Sequence, residues 1–469
     1  MIRAVLASLV FALTASAQTA LTIEPYTFET RDGRTAEADL GRFLVPENRQ
    51  LEDGHPWQGR TLELAFVRFP STSPNPGPPI VYLAGGPGGS GTRTAQGTRF
   101  DLFQSLREVA DVIAFDQRGT GLSESPPRCP HQTVLPLDVP GTRASYTEAA
   151  VATAQACVAH WQGLGVDLAA YTTDQSADDL EALRQALGVP QISLWAISYG
   201  THLALATLRR HPESIAAAVL AGVEGPDHTF KLPSHQQALL EEINGIHQAE
   251  NSEASSLLAD MEAVIESLRR QPVVVDLGGE TGNVAIGAFD VQWIAANMLG
   301  GPELSMQLPE MFAEMRSGDF EAVARWLQYL KAPSGVRAMS FAMDAASGAS
   351  IWRRAQIATE AEHTLLGDAI NFPAPEQAVV LRHLDLGPAF RQPVQSHVPT
   401  LFISGTLDGR TLPANADEVR AGFSDHAHLV IEGAGHSDPL FLSSPVILDR
   451  MRTLLAGGTV ESERISMAP

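Results

Sequence analysis

A serine, an aspartate and a histidine, in that chain order, are the residues best placed for chemistry: Ser198, Asp408 and His436. Ser198 closes the apolar run Ile192–Ile197, and good helix sequence follows it from His202 to Arg210 before Pro212. Ala196 and Gly200 flank it two residues to either side, and a serine at the apex of a tight strand-to-helix turn needs small neighbours there. A serine hydroxyl is a weak nucleophile until a base takes its proton. An imidazole does so best when a carboxylate fixes its tautomer and orientation. Asp408 comes just after Leu401–Ile403, and His436 just after Leu429–Ile431. Both therefore fall at C-terminal strand ends, where open sheets of parallel strands bind ligands. The other histidines are placed less well. His211 ends a helix, where a cation suits the dipole. His363, His383 and His397 fall in or near a helical segment, and His426 and His428 are read as preceding the last strand.

The elements around these residues follow from periodicity and turn chemistry. The short strand Ile80–Leu83 runs into Ala84-Gly85-Gly86-Pro87-Gly88-Gly89-Ser90-Gly91. No phosphate-loop pattern follows it. Backbone N–H groups of such a loop can instead face a carbonyl oxygen that gains charge during a reaction. Gly86 is the first expected donor and the Tyr199 N–H the second, with Pro87 expected on a cis peptide. Asp116 and Arg118, after the strand Asp111–Phe115, are expected to hold loop backbone rather than to react. Ser145–Glu148 reads as a capping box for a helix reaching about Gln162. A second helix, Ala177–Leu187, stops at Gly188 before Pro190. Strands thus alternate with helices from Ile80 to Val223, which predicts an α/β architecture: a mostly parallel sheet with helices on both faces. From 227 to 393 the pattern turns mainly helical, with a small hairpin at Val273–Leu277 and Asn283–Ile286. This segment reads as a cap inserted into a catalytic domain made of 18–226 and 394–456, with 457–469 as a frayed tail.

Composition bounds the partners. The chain has 469 residues, 44% hydrophobic and 18% charged, with a net charge of −22. So acidic a chain has no electrostatic reason to bind nucleic acid or an anionic membrane surface. It favours cationic ligands such as free peptide amino termini. The start reads as a charged n-region, an apolar run from Ala4 to Leu13 and an Ala15-Ser16-Ala17 cleavage site, predicting a signal peptide over 1–17 and a periplasmic or secreted protein. The run is too short to span a bilayer. Cys129 and Cys157 are the two cysteines. In an exported chain they are expected to form a disulfide in preference to two buried thiols. Without neighbouring histidines they make no metal site, and serine-based hydrolysis requires no cofactor.

Taken together, Pro46-Glu47-Asn48-Arg49, Gly85–Gly91, Asp116-Gln117-Arg118-Gly119-Thr120-Gly121, Ser198-Tyr199-Gly200-Thr201, Asp408 with Thr411 and Pro413, and Gly435-His436 resemble the prolyl aminopeptidase and tripeptidyl aminopeptidase family of α/β-hydrolases. The resemblance runs from about residue 40 to 440, outside the cap. It implies the α/β-hydrolase fold with a helical cap, and a serine hydrolase that removes residues from peptide amino termini. It also implies Gly86 and Tyr199 as oxyanion donors, and a cysteine after the Asp116–Gly121 loop fits Cys129. Two positions depart from the pattern: Ala84 stands where prolyl aminopeptidases have histidine, and Ala196 replaces the first glycine of the serine turn. An aminopeptidase also needs carboxylates for the substrate ammonium, and Glu224 and Asp227, where a strand leads into the cap, are the candidates. Two other functions fit the sequence: a carboxylesterase acting on small acyl esters, and an inactive hydrolase scaffold used for binding.

Overall fold

The computed structural model describes residues 21–467 apart from 53, 57, 254 and 334. The expected signal peptide, 1–17, lies outside the described residues. Strands β1 (Thr22–Glu29), β2 (Thr35–Pro46) and β3 (Thr61–Phe69) form an antiparallel meander. Strands β4 (Ile80–Leu83), β5 (Val112–Asp116), β6 (Ile192–Ser198) and β7 (Ile215–Val223) follow. A separate hairpin of β8 (Val273–Asp276) and β9 (Asn283–Ile286) lies in the cap segment. Strands β10 (Thr400–Gly405), β11 (His426–Glu432) and β12 (Glu463–Ser466) complete the main sheet. Its order is β1-β2-β3-β5-β4-β6-β7-β10-β11-β12, with every pair from β5 onward parallel.

The central strands explain the apolar runs of the sequence. Strands β4, β5 and β10 are buried at every residue, as parallel strands covered on both faces must be. One face packs on the helices Arg143–Gly163, Thr173–Leu187 and Tyr199–Arg210. The other packs on Phe100–Leu106 and Pro445–Leu455. A third apolar cluster holds helices of the 227–393 segment together, from Leu239 and Leu240 to Phe312 and Leu327. No described helix is long and apolar enough to cross a membrane. Cys129 and Cys157 are joined as a disulfide.

Several local expectations are corrected. The helix expected from a Ser145–Glu148 box starts at Arg143, because Thr142 takes the N-cap and Ser145 closes the box from N3. His426 and His428 lie within β11 rather than before it. Within the mainly helical segment, Pro302–Ser305 and Leu308–Ser317 are separate helices, with Pro309 in the first turn of the second. The tail is not wholly frayed: Glu463–Ser466 adds as edge strand β12 along β11, with Ile465 buried. One apolar residue among polar ones gave too short an alternation to read as a strand. Helices Ala338–Ser347 and Ile351–Ala361, absent from the sequence reading, fill the second half of the cap segment.

Candidate active site

Ser198 is the last residue of β6 and the N-cap of the helix Tyr199–Arg210. Its backbone sits at φ 56°, ψ −129°, a region that non-glycine residues avoid. Such strain persists only where the surroundings over-determine it. Here they do. A β-carbon on Gly200 would stand 2.2 Å from the Leu83 carbonyl oxygen, so only glycine lets the helix start so close to β4. A β-carbon on Gly85 would stand 2.8 Å from Ser198 Cβ. The glycine loop is thus drawn directly against the serine. Ala196 is fully buried, between Leu83 of β4 and Leu220 of β7.

The glycine loop is braced rather than loose. The Gly86–Pro87 peptide is cis and Gly86 has φ +120°. Gln117 donates from Nε2 to the Ala84 carbonyl at 3.1 Å. Asp116 accepts from Ser90 Oγ, Thr92 N, Thr92 Oγ1 and Leu122 N, all within 3.1 Å. Arg118, fully buried, pairs with Asp179 and donates to the carbonyls of Glu47 and Ala170. Both residues hold backbone, as their sequence positions suggested. Gly86 and Ser198 line one cavity of about 750 Å³, and the Tyr199 N–H opens the helix immediately behind Ser198.

Asp408 and His436 meet at the same cavity. His436 Nδ1 lies 2.8 Å from Asp408 Oδ2. The Asp408 carboxylate is fully buried and also accepts from Arg410 N (2.8 Å), Thr411 N (2.9 Å) and Thr411 Oγ1 (2.7 Å). Burial alone would raise its pKa, but the charge of His436 and the bonds from His436 and Thr411 outweigh that and hold it below the usual carboxylate value. His436 and Ser198 line the same cavity. The loop after the histidine is clamped by Arg99. Arg99 donates to Asp438 (2.8 Å), to Ser437 Oγ (2.9 Å) and to Tyr82 Oη (2.6 Å).

Of the two expected ammonium ligands, Glu224 lines this cavity and Asp227 does not. Asp227 is corrected to a structural acid: its carboxylate accepts from both N and Oγ of Ser350, the N-cap of Ile351–Ala361, each at 2.6 Å. Glu224 is paired with Lys231, 2.7 Å away. A second cavity carboxylate escaped the sequence reading. Asp344 projects from Ala338–Ser347, and its carboxylate makes no hydrogen bond or ion pair among the described residues. Burial, with a further contribution from the charge of Glu224, pushes its carboxyl up to about 8, against the opposing effect of Lys231. Its helix touches both halves of the site. Ser340 Oγ donates to the Pro87 carbonyl (2.8 Å), and Ser347 Oγ contacts His202 Nε2 and Thr173 Oγ1 at 3.0 Å. Asp344 is the lone charged residue of that otherwise apolar and hydroxylic helix, a signal legible once the helix is recognised.

A serine at the end of a parallel strand, with an aspartate–histidine pair after two later parallel strands, is the arrangement of the α/β-hydrolase fold. A family model described as alpha/beta hydrolase fold matches residues 78–275. The chain is similar to proteins of aminopeptidase type. It is 30% identical over 193 residues to the serine protease Hip1 of Mycobacterium tuberculosis, covering 40% of this chain and 36% of that one. It is 30% identical over 181 residues to a tripeptidyl aminopeptidase of Streptomyces coelicolor, covering 36% and 32%. It is 31% identical over 147 residues to a proline iminopeptidase of Arabidopsis thaliana, covering 31% and 27%. The match spans about a third of the length of these curated relatives.

Proposed function

We propose that this chain is an exported serine hydrolase that cleaves residues from peptide amino termini through an acyl-enzyme on Ser198. In the first step Ser198 Oγ bonds to the scissile carbonyl carbon and its proton passes to His436 Nε2. The charge on the carbonyl oxygen is met by the N–H groups of Gly86 and Tyr199. The C–N bond then breaks, and the leaving amine takes the proton from His436. A water molecule repeats the sequence on the ester, releasing the acid and restoring Ser198. Asp408 orients His436 and stabilises its cationic form without itself taking the proton. Export is supported by the signal-like first 17 residues and by the disulfide.

The observation that carries the aminopeptidase reading is Asp344, a carboxyl without a partner, beside Glu224 in the cavity that holds Ser198. A substrate ammonium supplies the cation that Asp344 lacks. The names of the relatives point the same way. The second reading, a carboxylesterase, draws on Lys231, which already neutralises Glu224. Turnover of one peptide amide with a free and with an acetylated amino terminus, alongside a short acyl ester, separates the two. The aminopeptidase reading requires the free peptide to be cleaved far faster than the blocked one. Equal or better turnover of the blocked peptide sinks it.

A further inference from the structure

Arg410 is a cavity-lining cation that the hydrolytic steps above leave unused. It stands two residues after Asp408, at the corner where the cap meets the loops of Asp408 and His436. There Gly409 N donates to the Leu299 carbonyl (3.0 Å) and His436 N to the Gly300 carbonyl (2.9 Å). The Arg410 backbone N–H serves Asp408. Its guanidinium does not: its one side-chain bond is a long contact of 3.5 Å from Nη2 to the Asn297 carbonyl. Among the described residues no carboxylate lies within ion-pair distance of it. A guanidinium carries five N–H donors in a planar fork, and donors left unmade in a partly buried place cost free energy. The other inner cations of the cavity are already engaged, Lys231 by Glu224 and Arg99 by Asp438.

The side of the site matters. In the sheet β4 carries the glycine loop on one side of β6, while β7, β10 and β11 lie on the other. The leaving group must face His436, which protonates it, and Arg410 belongs to the loop whose Asp408 is hydrogen-bonded to His436. At the rim, Arg31 and Arg93 also line the cavity, with no carboxylate partner among the described residues. A chain of net charge −22 repels anions overall. Arginines without an ion pair along the wall of its cavity therefore run against the general field of the molecule.

We propose that Arg410 binds a carboxylate carried by the leaving part of the substrate. The preferred substrates are then short peptides whose released portion keeps a free carboxyl terminus. The guanidinium fork matches a carboxylate in a bidentate pair, which sets orientation as well as affinity. The inference rests on Ser198 and His436 as the hydrolytic site, but not on the substrate being a peptide.

Two substrate series test it. One is a set of peptides compared as free acids and as carboxyamides. The other is the acetyl ester of 4-hydroxybenzoate compared with that of 4-hydroxybenzamide. The readout is the ratio of kcat/KM between the charged and neutral member of each pair. A charge-assisted pair predicts a wild-type preference of about tenfold or more for the charged member. Arg410→Gln should bring the ratio near one, and Arg410→Lys should keep part of the preference. Peptides left uncleaved while the esters turn over would refute the aminopeptidase reading, and the ester ratio would still decide the role of Arg410. No preference in the wild type, an unchanged ratio in Arg410→Gln, or no turnover of either series overturns the proposal.

Discussion

The Lys231 ammonium lies 2.7 Å from Glu224, so one of the two inner carboxylates of the cavity already holds a cation. Lys231 is fixed there by its own backbone, which exchanges hydrogen bonds with the Asn371 side chain at 2.6 and 2.8 Å. Asp344 is the acid left over. The two carboxylates should therefore contribute unequally to binding a substrate ammonium.

Asp344→Asn should raise KM for free-amine peptides by about tenfold or more, the worth of one hydrogen bond to a charged group. An acyl ester without an amine should show little of this change. Glu224→Gln should have the smaller effect on the amine, because it also releases Lys231. Steady-state kinetics on the two substrate types measures both. Equal losses on amine and ester would assign Asp344 a structural role instead.

The same residue has a pH signature in stability. With its carboxyl pushed up to about 8, the folded chain keeps a proton that the unfolded chain has released above its ordinary value of 3.8. The native state then binds more protons, so stability falls as pH rises between those two values. Asp344→Asn removes this contribution. Its Tm should gain on the wild type as pH rises from about 5 to 8, and the gap should level off above that. Parallel Tm curves for the two proteins across that range would contradict the assignment.

Thr411 touches both partners of the aspartate–histidine pair, at 2.7 Å from Asp408 Oδ2 and 3.1 Å from His436 Nδ1. Thr411→Val removes a hydroxyl donor from a buried carboxylate, a loss of about 1.5–3 kcal/mol. The expected result is a kcat/KM lower by about ten- to a hundredfold. Thr411→Ser should restore most of it. A change in Tm without a change in kcat/KM would confine Thr411 to stability.

Ala196 sits in the core between Leu83 and Leu220 with no exposure. Ala196→Leu must displace one of them and should cost about 1–3 kcal/mol. Because Ser198 is two residues on, in a strained conformation, activity should fall further than stability alone explains. Urea unfolding compared with initial rates at low temperature separates the two.

The residues proposed to bear the chemistry were legible because each is tied to a strand end. The apolar runs of β6, β10 and β11 announced themselves, and Ser198, Asp408 and His436 follow them directly. The bracing roles of Asp116 and Arg118 were legible for the same reason: buried charges in a loop after a strand have backbone to satisfy. The cap was not legible at that depth. Asp227 looked equivalent to Glu224 in sequence, yet it caps the helix that Ser350 begins, a partner 123 residues away. Asp344 and Arg410 were missed because their significance lies in what they lack, a partner, and sequence carries no record of that. The helix Ala338–Ser347 is rich in Ala, Ser and Met with no polar face, so its periodicity gave no boundary to read.

The proposed hydrolysis requires Ser198 to be an activated nucleophile. Labelling by a serine-directed fluorophosphonate tests it most directly, with wild type and Ser198→Ala compared and the modified peptide located by mass spectrometry. One adduct per chain, on Ser198 and lost in Ser198→Ala, is the predicted result. No labelling of the wild type, or equal labelling of Ser198→Ala, would contradict it.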